Sequence, residues 1–209
     1  VARTTAAQAR AEIVGTARHL FGERGYEGTS LQDIATALGG SKAGVLYHFG
    51  SKALILRELM LPAAESFAKL VDELDRLDAD LAQRRAVEGF VGMVLEYRDE
   101  LSAYPAAIQQ VIELPELDDL QFRSMGERLV LAMTGGSMET VDLLAAHVAC
   151  IGLLATTTTL SGLDTGAPDP QARAESAPAA VLVGLGPEEL RRDLIRVAER
   201  TLGLGPADR

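Results

Sequence analysis

The stretch TSLQDIATALGGSKAGVLYHFGSKALIL, Thr29 to Leu56, decides the fold. Leu31, Ile34, Ala35 and Leu38 follow the i, i+3, i+4, i+7 spacing of one helix face, and Gly39-Gly40 stops it. Thr29 or Ser30 caps this helix, Ser41 caps a second short one, and Ser51 caps the helix that follows. Taking Leu31 as the first position of a helix-turn-helix, the fifth is Ala35, the ninth Gly39 and the fifteenth Val45. The fifth must be small because the second helix crosses it, the ninth needs the positive φ that glycine allows, and the apolar residues form the seam. A pair built this way projects its second helix outward, able to enter a major groove about 12 Å wide.

The groups around that seam suit a phosphate backbone. Lys42, Tyr47, His48 and Lys52 are donors, and Thr29 and Ser41 are hydroxyls at helix starts, where unpaired amides also favour anions. Charge is distributed accordingly. The chain of 209 residues is net −10, but residues 1–52 hold six basic side chains (Arg3, Arg10, Arg18, Arg24, Lys42 and Lys52) against four acidic ones (Glu12, Glu23, Glu27 and Asp33). The acidic remainder argues against polyanion binding over the whole surface and leaves one end able to meet DNA.

Outward from this module the pattern is helical throughout. Ala6 to about Arg24 forms an amphipathic first helix ending at Gly25. A fourth pattern runs from Ser51 toward Arg85 with Pro62 inside it, where a kink or break is expected. Further helices are expected over roughly 85–102, 105–114, 117–134, 138–161 and 187–202, with Pro115 closing the 105–114 helix. Residues 162–187, with four glycines and four prolines, read as a long connection. The uncharged stretch Leu143–Leu163 includes four consecutive threonines, His147 and two glycines, so it reads as a fully buried helix of the protein, with no membrane partner.

Composition and motifs narrow the function. With 47% apolar and 24% charged residues the chain can bury a sizeable core. One cysteine, Cys150, excludes an internal disulfide framework and a multi-thiolate zinc site, and suits a reducing, cytoplasmic compartment. The start shows no basic head followed by an apolar stretch, so no secretory signal is expected. His19, His48 and His147 form no HExxH pair, and there is neither a GxSxG elbow nor a GxxxxGK[ST] loop. The expectation is a protein that is not an enzyme, with no metal and no cofactor.

The run from Thr29 to Leu56 resembles the DNA-binding signature of the TetR family of transcriptional regulators. The likeness rests on the placing of Ser41-Lys42, Tyr47-His48-Phe49 and Ser51-Lys52, and on a first helix ending in FGERGYEGTS; it covers about residues 6–56. Gly40 departs from the apolar residue usual there, and Leu46 from the usual aromatic. The resemblance implies an all-α fold: an N-terminal three-helix helix-turn-helix DNA-binding domain, residues 1–50, and a larger C-terminal helical ligand-binding and dimerisation domain, residues 51–209. It implies that Thr29, Tyr47, His48 and Lys52 hold the DNA backbone, alongside Ser41, while Gln32, Lys42, Ala43 and Gly44 reach bases or neighbouring phosphates. Because Ala43 and Gly44 offer little hydrogen-bonding reach, readout falls to Gln32, Lys42, apolar contact and DNA shape.

A regulator of this kind needs two reading helices on a palindromic operator, hence a homodimer. Ala145, Ala149, Gly152 and Thr156 form a small-residue stripe, and Leu190, Leu194 and Val197 line one side of the last helix; with the resemblance, these make a four-helix interface. Phe90, Met93, Tyr97, Tyr104, Phe122, Met125 and Met133, with His147 and Cys150 as polar contacts, are candidates to line a cavity for a small-molecule effector. The function implied is a repressor of transcription released from its operator by that effector. The alternative is a helical small-molecule-binding or adaptor protein of the same fold without operator binding.

Overall fold

The computed structural model describes residues 5–101, 114–164 and 185–205, and every regular element among them is helical. The helices are α1 (Ala6–Arg24), α2 (Leu31–Ala37), α3 (Lys42–Phe49), α4 (Lys52–Leu74), α5 (Ala79–Glu96), α6 (Arg98–Leu101), α7 (Phe122–Met133), α8 (Thr140–Asp164) and α9 (Pro187–Thr201). A 3₁₀ turn, Pro115–Leu120, precedes α7. The expected helix over 105–114 and most of the 162–187 connection lie outside the described residues.

By packing, the described residues fall into two units: unit 1 is drawn from residues 1–64 and 99–121, unit 2 from residues 65–98 and 122–209. The division therefore lies inside α4, later than the boundary expected at residue 50. The reason is that Ala53, Ile55, Leu56, Leu59, Met60, Ala63 and Ala64 on the first half of α4 are buried, completing the core that α1–α3 begin.

In unit 1, local chemistry starts each helix. Thr5 and Gln8 form a reciprocal capping box at α1, Ser30 and Asp33 form another at α2, and the Ser41 hydroxyl accepts the Gly44 N–H at 3.1 Å to open α3. The inner faces meet through Ile13, Ala17, Leu20 and Phe21 of α1, Ile34 and Ala35 of α2, and Val45 and Phe49 of α3. Gly39 adopts φ 65° in the turn between α2 and α3. Gly28 is required for another reason: a Cβ there would lie 2.2 Å from the Arg24 carbonyl oxygen.

Three expected boundaries change. Pro62 does not break α4, which continues through it to Leu74. Missing one i→i−4 bond is compensated by the burial of Leu59, Met60, Ala63 and Ala64 around it. The helix stops well short of Arg85, because the Asp78 side chain accepts the Leu81 N–H at 3.1 Å and starts α5 afresh. The pattern over 117–134 is interrupted at Gln121, whose φ of 54° separates the 3₁₀ turn from α7, and Pro115 opens that turn.

In unit 2, α5 packs on α7, α8 and α9. Ala86, Val87, Phe90, Val91, Met93 and Val94 of α5, Met125, Leu129 and Met133 of α7, and Leu190, Leu194 and Ala198 of α9 form the core. Phe67 and Phe90 pack with ring centroids 6.1 Å apart and planes tilted by 44°. Arg85 joins Glu73, and Arg128 joins both Asp72 and Asp75, tying α5 and α7 to the end of α4.

The α8 helix corrects another expectation. Its stretch Thr140–Thr158 is long and apolar enough to cross a membrane by length and composition, yet only 22% of it is buried. It is two-faced. Ala146, Ala149, Leu153 and Thr157 pack inward, while Val141, Leu144, Val148 and Ile151 lie on the opposite face and are exposed. The expectation of a fully buried helix rests on both faces being apolar, and composition alone does not distinguish a face covered by the same chain from one left open.

Candidate nucleic-acid interface

The short helix α3 is buried on one side only. Val45 and Phe49 are sunk against α1 and α2, and the remaining turns leave Ser41, Lys42, Ala43, Gly44, Leu46 and Tyr47 exposed. Tyr47 is the extreme case, with 86% of its surface open. Its ring meets that of His48 edge to face, with centroids 5.2 Å apart. His48 is half-buried at the last turn of the helix. Gln32 is exposed on α2, its amide donating to the Thr36 hydroxyl at 3.3 Å. Seven of the expected site residues, Gln32, Ser41, Lys42, Ala43, Gly44, Tyr47 and His48, thus keep solvent access on two adjacent helices.

Two others do not behave as expected. Thr29 is only 1% exposed. Its hydroxyl is shared between the Leu20 carbonyl at 3.2 Å, in the last turns of α1, and the Gly25 carbonyl at 3.0 Å, just beyond the helix. It ties the loop between α1 and α2 and is closed to a phosphate. Lys52 is half-buried: its ammonium donates to the carbonyls of Tyr26 at 2.7 Å and Thr29 at 3.0 Å, and it stands 4.0 Å from the Tyr26 ring centroid. Two of its three donors are therefore committed to the same loop. Lys52→Met is expected to lower the stability of unit 1 by about 1–2 kcal/mol in urea denaturation, with the slope of log affinity against log salt for DNA unchanged. A shallower slope at unaltered stability would return Lys52 to the phosphate role.

The same loop explains two shifted titrations. Burial, with Glu27 and Glu116 adding to it, pushes the Tyr26 hydroxyl up to about 12. The Ser30 hydroxyl and backbone N–H hold the Asp33 carboxyl below the usual carboxylate range. Asp33 is thus an anion fixed at the start of α2, where the helix dipole also favours it.

Sequence reasoning missed Arg10. Its Nη1 donates to the His48 carbonyl at 2.6 Å, its Nη2 pairs with Glu58 at 2.9 Å, and its guanidinium lies 4.1 Å from the Phe49 ring centroid. No local signal marks it, because all three partners lie far along the chain. Arg57 pairs with Asp119, and Arg18 with Glu100 at 3.1 Å, joining α1 and α4 to the later segment of unit 1.

The remaining candidates lie in unit 2 or beyond the described residues. Phe90, Met93, Met125 and Met133 are core residues, Tyr97 caps the end of α5, Phe122 is half-buried at the start of α7, and Tyr104 falls outside the described residues. Cys150 donates to the Met133 sulfur at 3.5 Å, and burial pushes its thiol up to about 12, so it stays protonated and unreactive at neutral pH. His147 is on the solvent side of α8 with a ring nitrogen 2.7 Å from the Leu143 carbonyl, so it does not join those core residues. In the small-residue stripe Gly152 is exposed and Ala145 and Thr156 are half-buried, whereas Ala149 packs inward; on α9, Leu190 and Leu194 face the core of their own unit and Val197 is 59% exposed.

Comparison with known proteins adds independent findings. Residues 13–59 match the model of bacterial regulatory proteins of the tetR family. Over 64 residues the chain is 36% identical to the HTH-type transcriptional repressor AcnR of Corynebacterium glutamicum, covering 31% of this chain and 34% of that protein. Over 113 residues it is 34% identical to the uncharacterised HTH-type transcriptional regulator YezE of Bacillus subtilis, covering 50% and 56%. These alignments span about a third and about half of the relatives' lengths. The crystal structure of PfmR, a TetR family transcriptional regulator of Thermus thermophilus, aligns with a TM-score of 0.57 over 94% of this chain and 99% of that one, at 24% identity, which speaks for the fold.

Proposed function

We propose that this chain, which belongs to the TetR family of bacterial regulatory proteins, is a repressor of transcription that binds a palindromic operator as a homodimer in the cytoplasm and is released by a small-molecule effector. The observation carrying the reading is the open side of α3: this eight-residue helix buries Val45 and Phe49 against its own unit, while its outer face, with Tyr47 86% exposed, is left uncovered by the described residues. A helix of that size fits a major groove. Ser41 and Lys42 at its start and His48 at its end supply donors for phosphates, Gln32 reaches from α2, and Ala43 and Gly44 permit close approach to base edges and thymine methyl groups. The repressor activity of AcnR, named for that protein, is consistent with the same use of the module.

A second copy is the natural cover for the open apolar face of α8. Val141, Leu144, Val148 and Ile151 recur at spacings of three and four, the repeat of a helix seam, and Val197 of α9 is exposed in the same unit. Ala145, Gly152 and Thr156 flank that seam and let another helix approach closely. For the effector, the soft side chains Phe90, Met93, Met125 and Met133 are the favoured surroundings, since methionine reshapes readily around a guest. The effector must prefer the conformation that fits DNA poorly, because only differential affinity shifts the equilibrium. No step of this function requires covalent chemistry.

Selection of DNA from a random pool, followed by fluorescence anisotropy with the recovered fragment, tests the reading. An inverted repeat is expected, bound with an affinity that falls steeply as salt rises. Recovery of no sequence above background would leave the ligand-binding adaptor and remove the repressor.

A further inference from the structure

The C-terminal turn of α3 ends in carbonyls that the helix itself leaves without partners. One of them, His48, is held by Arg10 of α1 at 2.6 Å, while the same guanidinium covers the Phe49 ring at 4.1 Å and pairs with Glu58 of α4 at 2.9 Å. One side chain therefore joins three helices at the base of the reading helix. Its partner sits one turn before Pro62 of α4: Pro62 has no N–H, so the Glu58 carbonyl has no helical donor four residues on. The pair also borders an open groove of about 480 Å³ whose lining includes Val14, Leu59 and Pro62, and both side chains are partly accessible to solvent.

We propose that Arg10 is a positioning residue for DNA recognition, holding the end of α3 against α1, and that Glu58 on α4 sets how firmly it does so. This rests on the DNA-binding reading above. Arg10 does not touch the nucleic acid; it acts through the pose of α3. A bend of α4 at Pro62 that draws Glu58 away removes the charged partner that orients the guanidinium, and the grip on His48 loosens with it.

The test uses Arg10→Gln, Glu58→Gln and the double variant in the full chain. On DNA selected by the unaltered protein, Arg10→Gln is expected to lose affinity about tenfold and Glu58→Gln about threefold, with the double variant no worse than Arg10→Gln alone. The slope of log affinity against log salt should stay the same in all three, since no phosphate contact is lost. Arg10→Lys, which keeps the charge but lacks the fork, should fall between. Independently of DNA, amide exchange over residues 46–50 should quicken in both single variants. A slope shallower by about one in Arg10→Gln would make Arg10 a phosphate contact and overturn the proposal. Multiplying losses in the double variant, or unaltered exchange, would overturn it as well. If the unaltered protein selects no DNA, amide exchange still decides the clamp, and the operator reading alone falls.

Discussion

Ala35→Leu is expected to abolish operator binding at concentrations where the unaltered protein is saturated, and to lower the stability of unit 1 by about 1–3 kcal/mol in urea denaturation. Ala35 is completely buried where α2 packs on α3, and its carbonyl accepts the Gly40 N–H at 2.9 Å in the turn joining them. Three added carbons have no space there, so α3 must move outward from α2. A displacement of even about 1 Å takes a set of donors out of register with the groove they read. Ala35→Ser, close in volume, should retain most of both properties. Normal binding by Ala35→Leu would mean that the packing of α2 on α3 does not set the reading helix.

Val148→Glu combined with Ile151→Glu is expected to convert a dimer to a monomer of 22.2 kDa in sedimentation equilibrium. Affinity for the palindromic operator should fall by about 100-fold or more, because two half-sites are then bound independently. Val148 and Ile151 are 62% and 64% exposed in one copy, so the substitutions cost the isolated chain little. In a two-fold interface each carboxylate enters twice, without a basic partner provided for it. Ala149→Glu would not serve the same purpose: Ala149 is 7% exposed and packs inside its own unit, so the substitution reports on folding. A dimer that survives the double substitution would move the interface away from the outer face of α8.

Acid is expected to weaken the folded state through the ion-paired carboxylates. Arg85 holds Glu73, and Arg57 holds Asp119, below their usual range. Their unfolded counterparts titrate higher, so the stabilisation is present above the ordinary carboxylate pKa and lost as pH falls through the depressed folded values. Both groups are exposed at the surface, which keeps this effect small beside the two substitutions above.

The reading of the head was largely available from residue order. The bounds of α1, the serine starts of α2 and α3, the small Ala35 and the turn at Gly39 all follow from capping, periodicity and allowed φ, which depend on neighbours within about four residues. The same local logic contained the start of α5 at Asp78, overlooked because the apolar period continues through it. Longer reach failed. Thr29 and Lys52 are donor-bearing residues near a helix that carries Lys42, and nothing in their spacing says that each turns inward to carbonyls of α1 and of the α1–α2 loop.

The order of amino acids by itself determined that this protein is helical, where its first helices begin and end, and that its amino-terminal module has the form of a helix-turn-helix. Tertiary structure alone decided which polar groups stay open on that module, how Arg10 is shared among three helices, and which apolar side of α8 is left uncovered. The physical reason is a difference of range. A helix is selected by hydrogen bonds to the next turn, whereas a buried donor takes whatever acceptor the folded chain brings within about 3 Å, and its position in the sequence does not specify which.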